Sequence, residues 1–251
     1  MVKNFDIVIP LGPNDIDVIV NQIQYTKKFV SNYNNIYLIS YDPKIKIKDC
    51  ITIDEKIFPF NLDDVKNIKK IRDKKAGWYL QQLLKFYAVF YIPNIMDTIL
   101  VIDCDTFFLK KTKFVKHGKC LYNYCNHYHQ PYFNHMKNLS KKLTQVDKNK
   151  SGICHHMMFQ KKYLKKLFKF IESKKMHSNK HFYQIFLDCI YDRNTPCASE
   201  YEIYFNFMLN FYPDKVIIRK LKFKNVTNLE SYLNKDYDYL SCHHYMRDSN
   251  K

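Results

Sequence analysis

Thr98-Ile99-Leu100-Val101-Ile102-Asp103-Cys104-Asp105-Thr106-Phe107-Phe108-Leu109 is a run of strand-forming residues that stops abruptly at two carboxylates. Its first five residues lack the apolar/polar alternation of a half-exposed strand, which is typical of a central parallel strand covered on both faces. Upstream, Phe5–Pro10 and Asn35–Ser40 are β-branched runs. Between them Ile16, Val20, Ile23, Tyr25 and Phe29 recur at helical spacing, so the chain opens as a βαβ unit. A third strand at 51–53, a polar helix at 62–73 and an apolar helix from Trp78 to Tyr91 then lead into the 98–102 run. Downstream the pattern predicts strands at 119–125 and 153–159. Helices follow at 161–174, 179–191 and 200–211, then a strand at 215–223 and a short one ending in Ser241-Cys242-His243-His244. The polar stretch 130–150 reads as a mobile loop. This order is that of an open α/β sheet with helices on both faces. No Gly/Ser or Pro-rich linker interrupts it, so residues 1–251 are expected to form one domain.

Composition removes several classes of function. Only four glycines occur, Gly12, Gly77, Gly118 and Gly152, too far apart to build a dinucleotide fingerprint or a phosphate-cradling P-loop. HExxH and GxSxG are absent as well, which excludes the usual zinc-protease and serine-hydrolase patterns. The apolar fraction is 46% with 16% aromatics, so the chain can bury a core, yet its apolar runs fall short of the roughly 20 residues of a membrane span. Met1 to Phe5 lead straight into a strand without an apolar leader, which points to a cytoplasmic protein. The eight cysteines lack any CxxC pair and read as reduced. Cys120, Cys125, His127 and His129 have loosely metal-like spacing, but strand alternation explains Cys120 as a buried residue. A net charge of +17 invites a polyanion, either nucleic acid or an anionic membrane surface touched peripherally. Lysines occur nearly everywhere beside abundant Asn, Ile and Tyr, a pattern that coding bias also produces, so the charge alone does not identify a partner.

Asp103 and Asp105 carry the chemistry. A bare Asp-x-Asp is weak, since Asp15-Ile16-Asp17 and Asp236-Tyr237-Asp238 match it too. Asp15, however, opens a helix, and Asp236 lies in a polar segment with no strand before it. Asp103 and Asp105 alone stand at the carboxyl end of a buried strand, where open α/β sheets bind ligands. In an extended segment residues i and i+2 project to one side, and two adjacent carboxylates repel unless a cation or proton intervenes. Mg²⁺ or Mn²⁺, sharing the carboxylates with diphosphate oxygens and water, fits that donor set.

With this strand-to-carboxylate junction the chain resembles the GT-A superfamily of glycosyltransferases, marked by an apolar strand running into Asp-x-Asp. Within it the chain is similar to a family of glycosyltransferases through Gly77-Trp78-Tyr79-Leu80-Gln81-Gln82-Leu83-Leu84-Lys85, Ser151-Gly152-Ile153-Cys154-His155-His156-Met157-Met158 and Ser199-Glu200-Tyr201-Glu202-Ile203-Tyr204. The resemblance implies a GT-A-like, Rossmann-type mixed sheet. Residues 1–105 would bind a nucleoside diphosphate-sugar, UDP-linked in such families, and 106–251 a glycan, protein or lipid-linked acceptor. It implies Asp105 as principal metal ligand and Asp103 on metal or donor ribose. Likeness to glycogenin-like enzymes adds Lys85 as a donor contact, against a lysine that snorkels from an apolar helix. It also adds His243 or His244 as a third metal ligand, although the usual Lys-Pro-Trp sequel is missing. Trp78 and Gln82 become candidate donor contacts, and His155 and His156 candidate acceptor contacts, only one of which can face the site.

Ser199-x-x-Glu202 has capping-box spacing, which leaves Glu200 as the acid that binds or deprotonates the acceptor hydroxyl. Two other functions remain open at this level: a metal-dependent nucleotidyltransferase, and a basic nucleic-acid-binding protein.

Overall fold

The computed structural model describes residues 4–247 and turns the apolar run 98–102 into the second-from-edge strand of a five-stranded sheet. In chain order the elements are β1 (Phe5–Leu11), α1 (Ile16–Phe29), β2 (Tyr33–Ser40), β3 (Ile51–Asp54), α2 (Leu62–Lys66) and α3 (Asp73–Tyr91). Next come β4 (Thr98–Ile102), β5 (Thr106–Phe108), β6 (Val115–Lys116), β7 (Lys119–Asn123), α4 (Gln130–Leu139) and β8 (His156–Gln160). The chain closes with α5 (Lys161–Glu172), α6 (Phe182–Asp188), α7 (Glu200–Phe211), β9 (Val216–Arg219), β10 (Phe223–Asn225) and β11 (Tyr239–Ser241).

The main sheet has the order β3-β2-β1-β4-β8. β1 pairs in parallel with β2 and β4, with Val8 opposite Tyr37 and Val101. β8 runs antiparallel to β4, with Leu100 opposite Met158. Every residue of β1 is buried, so both faces of the sheet centre are covered, as the unbroken apolar runs require. Two three-stranded sheets, β10-β11-β5 and β6-β7-β9, flank it. α1 turns Ile19, Gln22, Ile23 and Thr26 inward, and Gln22 donates to the carbonyl of Thr106 (3.0 Å) just past the paired acids. α3 is buried almost continuously from Tyr79 to Val89, as a helix packed on several sides must be. None of the described helices is long and apolar enough to cross a membrane.

Several elements differ from the sequence expectation, each for a local reason. The helix expected over 62–73 is only α2, started by an Asn61/Asp64 capping box and ended at its Asn67 C-cap, beyond which Ile71 turns into the core, 3% exposed. α3 begins at Asp73 and not Trp78, because its first turn, Asp73-Lys74-Lys75-Ala76-Gly77, carries no apolar periodicity. The expected mobile loop 130–150 contains α4, which opens on Pro131 and buries His135, Met136 and Leu139 on one face. Proline suits a first helical turn, where its missing N–H costs nothing. The strand expected at 215–223 is two strands in different sheets, β9 beside β7 and β10 beside β11. β5 and β6 are too short to show a period.

Candidate active site

Past β4 the backbone turns. Thr106 N–H donates to Asp103 O at 3.0 Å, so Asp103-Cys104-Asp105 is not extended, and its two carboxylates enter different surroundings. This corrects the same-side geometry expected of an i, i+2 pair in a strand.

Asp103 sits in a closed polar network. Its Oδ1 accepts from the Tyr201 hydroxyl (2.7 Å) and is paired with the Lys85 ammonium; its Oδ2 lies 3.3 Å from His155 Nδ1. Lys85 Nζ also reaches Glu200 Oε1 at 2.6 Å and lies 4.6 Å from the centre of the Tyr201 ring. Gln82 Oε1 accepts the Glu200 backbone N–H at 3.1 Å. Each partner is delivered by a different element. Lys85 and Gln82 share a face of α3; Glu200 and Tyr201 begin α7. His155 is brought alongside by the antiparallel pairing of β8, where Ile102 lies opposite His156. The backbone of His155 is in the left-handed region (φ 60°), uncommon for a non-glycine residue, and its carbonyl accepts Asp103 N–H at 2.9 Å.

The electrostatics follow from burial. Lys85 is fully buried, which disfavours its charge, yet Asp103 and Glu200 outweigh that and raise its pKa. Burial pushes the Asp103 carboxyl up, but Lys85 and His155 prevail and hold it well below the usual carboxylate range. Glu200 moves the other way: burial and the Asp103 charge raise it, against the pull of Lys85. One ammonium between two carboxylates favours the more solvated, better hydrogen-bonded acid.

Asp105 is differently placed. Its Oδ2 is 2.8 Å from His243 Nδ1, its backbone carbonyl accepts Cys242 N–H at 2.9 Å, and its Oδ1 is buried without a hydrogen-bond partner. β11 sets this contact, since Thr106 pairs with Ser241 across β5 and β11. Burial lowers the His243 pKa, but Asp105 reverses this and the net shift is upward. The rings of His155 and His243 stand 4.8 Å apart and join the two halves of the cluster. His155 Nε2 is also buried and unpartnered.

The profile of a family of unknown function, DUF6492, matches residues 22–239. The chain belongs to that family.

Solved structures similar to this DUF6492 chain include an active-site mutant of LgtC, at TM-score 0.50 and 11% identity over 94% of this chain and 86% of that one. A second is the galactosyltransferase LgtC in complex with donor and acceptor sugar analogues (TM-score 0.46, 10% identity, 94% and 86%). A third is the apo form of mouse xyloside xylosyltransferase 1 (TM-score 0.48, 9% identity, 94% and 97%). No curated protein matches the chain by sequence. The likeness to the first shows the fold: a mixed α/β architecture of the GT-A type, as the strand-to-carboxylate junction implied.

The structure of the DUF6492 chain gathers Lys85, Gln82, Asp103, Asp105, His155, Glu200 and His243 into one cluster. His156 does not join it. That ring faces Phe108, Phe114 and Tyr239, and burial, with the Arg219 charge, pushes its pKa down to about 3. Trp78 is half-buried, stacked on Tyr132 and edge-on to Tyr79. His244 is exposed. Lys85, 0% exposed, is no snorkelling surface lysine.

Of the two acids after Ser199, Glu202 departs from the expected capping box. Ser199 Oγ accepts from Glu202 N–H (3.3 Å), but the Glu202 carboxylate turns to Asn206 Nδ2 (2.8 Å) and completes no box. Glu200 is tied to Lys85 and only 3% exposed.

Two participants carry no sequence signal of their own. Tyr201 lies between the two acids and looks like helix packing, while Asp15 looks like a cap. Asp15 makes no side-chain cap bond. Instead its Oδ2 accepts from Cys104 Sγ at 3.1 Å, and it pairs with the Arg247 guanidinium.

The donor set suits a divalent ion. The buried, unpartnered Asp105 Oδ1 beside a histidine is what a hard or borderline cation would satisfy. Among the described residues no three His, Cys, Asp or Glu side chains already stand in ligating arrangement, because Asp103 is engaged by Lys85 and Tyr201 and His243 by Asp105. The residue types fit; the free-state hydrogen bonds must open to admit the ion.

Proposed function

We propose that this chain is a glycosyltransferase that takes a sugar from a nucleoside diphosphate donor, with Mn²⁺ or Mg²⁺ held by Asp105 and His243 while Asp103 anchors the site beside them. The observation that carries the reading is Asp105 Oδ1, a buried acceptor with no partner just past the carboxyl end of β4 in a GT-A fold. When bound, the ion would supply Lewis-acid stabilisation of the leaving diphosphate.

The chain's own residues divide the remaining tasks. Lys85 is a fixed cation behind Asp103 and keeps the site from accumulating uncompensated negative charge. Glu200 keeps Oε2 for the acceptor hydroxyl, and its raised pKa makes it a stronger base than a solvated carboxylate. Lys85 holds that carboxylate in place, and Gln82 holds the Glu200 backbone. His155 and Tyr201 fix the other acid, so that the two carboxylates meet different partners.

Thermal melting with UDP, GDP, CMP and their sugars, each with and without Mn²⁺, tests this. One nucleotide family should raise the melting temperature only when the ion is present, because binding to the folded state alone adds stability. No shift with any nucleotide in either condition would refute the proposal.

A further inference from the structure

Eight of the twenty residues from Lys161 to Lys180 are lysine and one, Glu172, is acidic, against 41 Lys and Arg to 24 Asp and Glu in the whole chain. Positive charge is therefore concentrated here. Lys161 faces Asp97 (3.5 Å) and Lys180 faces Asp188 (2.7 Å). For Lys162, Lys165, Lys166, Lys169, Lys174 and Lys175 no carboxylate lies within 4.0 Å among the described residues. α5 buries Tyr163, Leu164, Leu167, Phe168 and Ile171, so its lysines fall on the outer side.

Apolar groups accompany this charge. A cavity of about 500 Å³ opens between α5 and the end of α3, lined by Phe90, Tyr91 and Phe168 with Lys165, Lys169, His181 and the single acid Glu172 among its other walls. In the turn that follows α5, Met176 is 73% exposed.

We propose that this face docks on an anionic lipid bilayer, with a phospholipid phosphate at Lys165 and Lys169 and the glycerol and first acyl carbons against Phe90, Tyr91 and Phe168. Lysines without a carboxylate partner on a helix, an apolar recess at their base and an exposed methionine in the turn that follows are what an interfacial contact with anionic lipid uses. Nucleic acid is less well matched. The segment has no arginine to fork onto phosphates or bases, and Phe168 is 9% exposed, recessed and not presented for base stacking. This inference is independent of the proposed transferase activity.

Vesicle co-sedimentation tests it. The protein should bind phosphatidylcholine vesicles that contain phosphatidylglycerol and not pure phosphatidylcholine. Lys165→Glu with Lys169→Glu should weaken binding by at least about tenfold, as charge reversal at an anionic surface implies. The same reversal at the exposed Lys46 and Lys48 should change it less than about threefold. Tyr91→Ala, at a side chain 40% exposed, should reduce the part of the binding that survives high salt. Circular dichroism would verify that each variant is folded. Equal losses from both lysine pairs would mean that net charge and not this face governs binding, and would overturn the proposal. So would no binding to the mixed vesicles, or RNA that displaces the protein from them.

Discussion

Asp103 and Asp105 are two residues apart in the chain, yet one is held by the fold and the other is left incomplete. Asp103 meets an ammonium, a phenol and an imidazole. Asp105 meets one imidazole and keeps an unpartnered oxygen. A buried charge that is paired and hydrogen-bonded has its desolvation offset, whereas a buried acceptor without a partner costs free energy until a ligand satisfies it. The contrast teaches that the two acids are not interchangeable halves of a motif. Asp103 anchors the junction of α3, β8 and α7, and Asp105 is left with an unsatisfied acceptor.

The largest expected effect breaks the Asp105 side. Asp105→Asn should abolish any Mn²⁺-dependent rise in melting temperature and lower sugar transfer by about a thousandfold or more, the scale of losing charge stabilisation at a leaving group. Its metal-free melting temperature should stay near that of the wild type. Full transfer by this variant in EDTA would remove the metal from the site.

Lys85→Met breaks the Asp103 side. It leaves Asp103 and Glu200 buried without their shared cation, so unfolding free energy in urea should fall by about 3 to 5 kcal/mol. From the sequence alone, with Lys85 as a surface group, little loss of stability would be expected. Complete burial reverses that. An undiminished midpoint would show that water reaches this network.

Tyr201→Phe sharpens the comparison, because it deletes one hydrogen bond to Asp103 and keeps the ring. Stability should drop by about 1.5 to 3 kcal/mol, the range for bonds to charged groups, with Mn²⁺ affinity at Asp105 nearly unchanged. An equal fall in Mn²⁺ affinity, read by the shift in melting temperature with added ion, would mean that the two acids act as one unit.

The smallest effect concerns Glu202, on the same first turn of α7 but outside both halves. Burial raises its pKa to about 7, against hydrogen bonds from Ser151, Gly152 and Asn206 that lower it. The folded state thus holds this proton more tightly than the unfolded chain, whose value is near 4.5. Its contribution is fully present below pH 4.5 and lost as pH rises to about 7, with a slope of at most about 1.4 kcal/mol per pH unit. Glu202→Gln should flatten that part of the stability profile, measured by urea unfolding across the interval. An unchanged slope would assign the titration elsewhere.

What the sequence determined by itself was the sheet and the place of chemistry along it. Apolar runs at Phe5–Pro10, Asn35–Ser40 and Thr98–Ile102 have only one way to bury both faces, and a carboxylate pair after the last of them falls at the ligand-binding edge. Gln82, Lys85, His155, Glu200 and His243 were also legible as candidates, through resemblance and spacing. Their division between the two acids was not. Asp103 and Asp105 part because of a single turn bond from Thr106 N–H. Lys85 is buried because α7 covers α3, and His155, not His156, reaches Asp103 because the register of β8 on β4 selects it. Tyr201 and Asp15 join only through contacts 98 and 89 residues away in the chain. Period and composition report which face of an element is apolar; they carry no information about which distant polar group will meet it. That choice is made by packing, and tertiary structure alone decided it here.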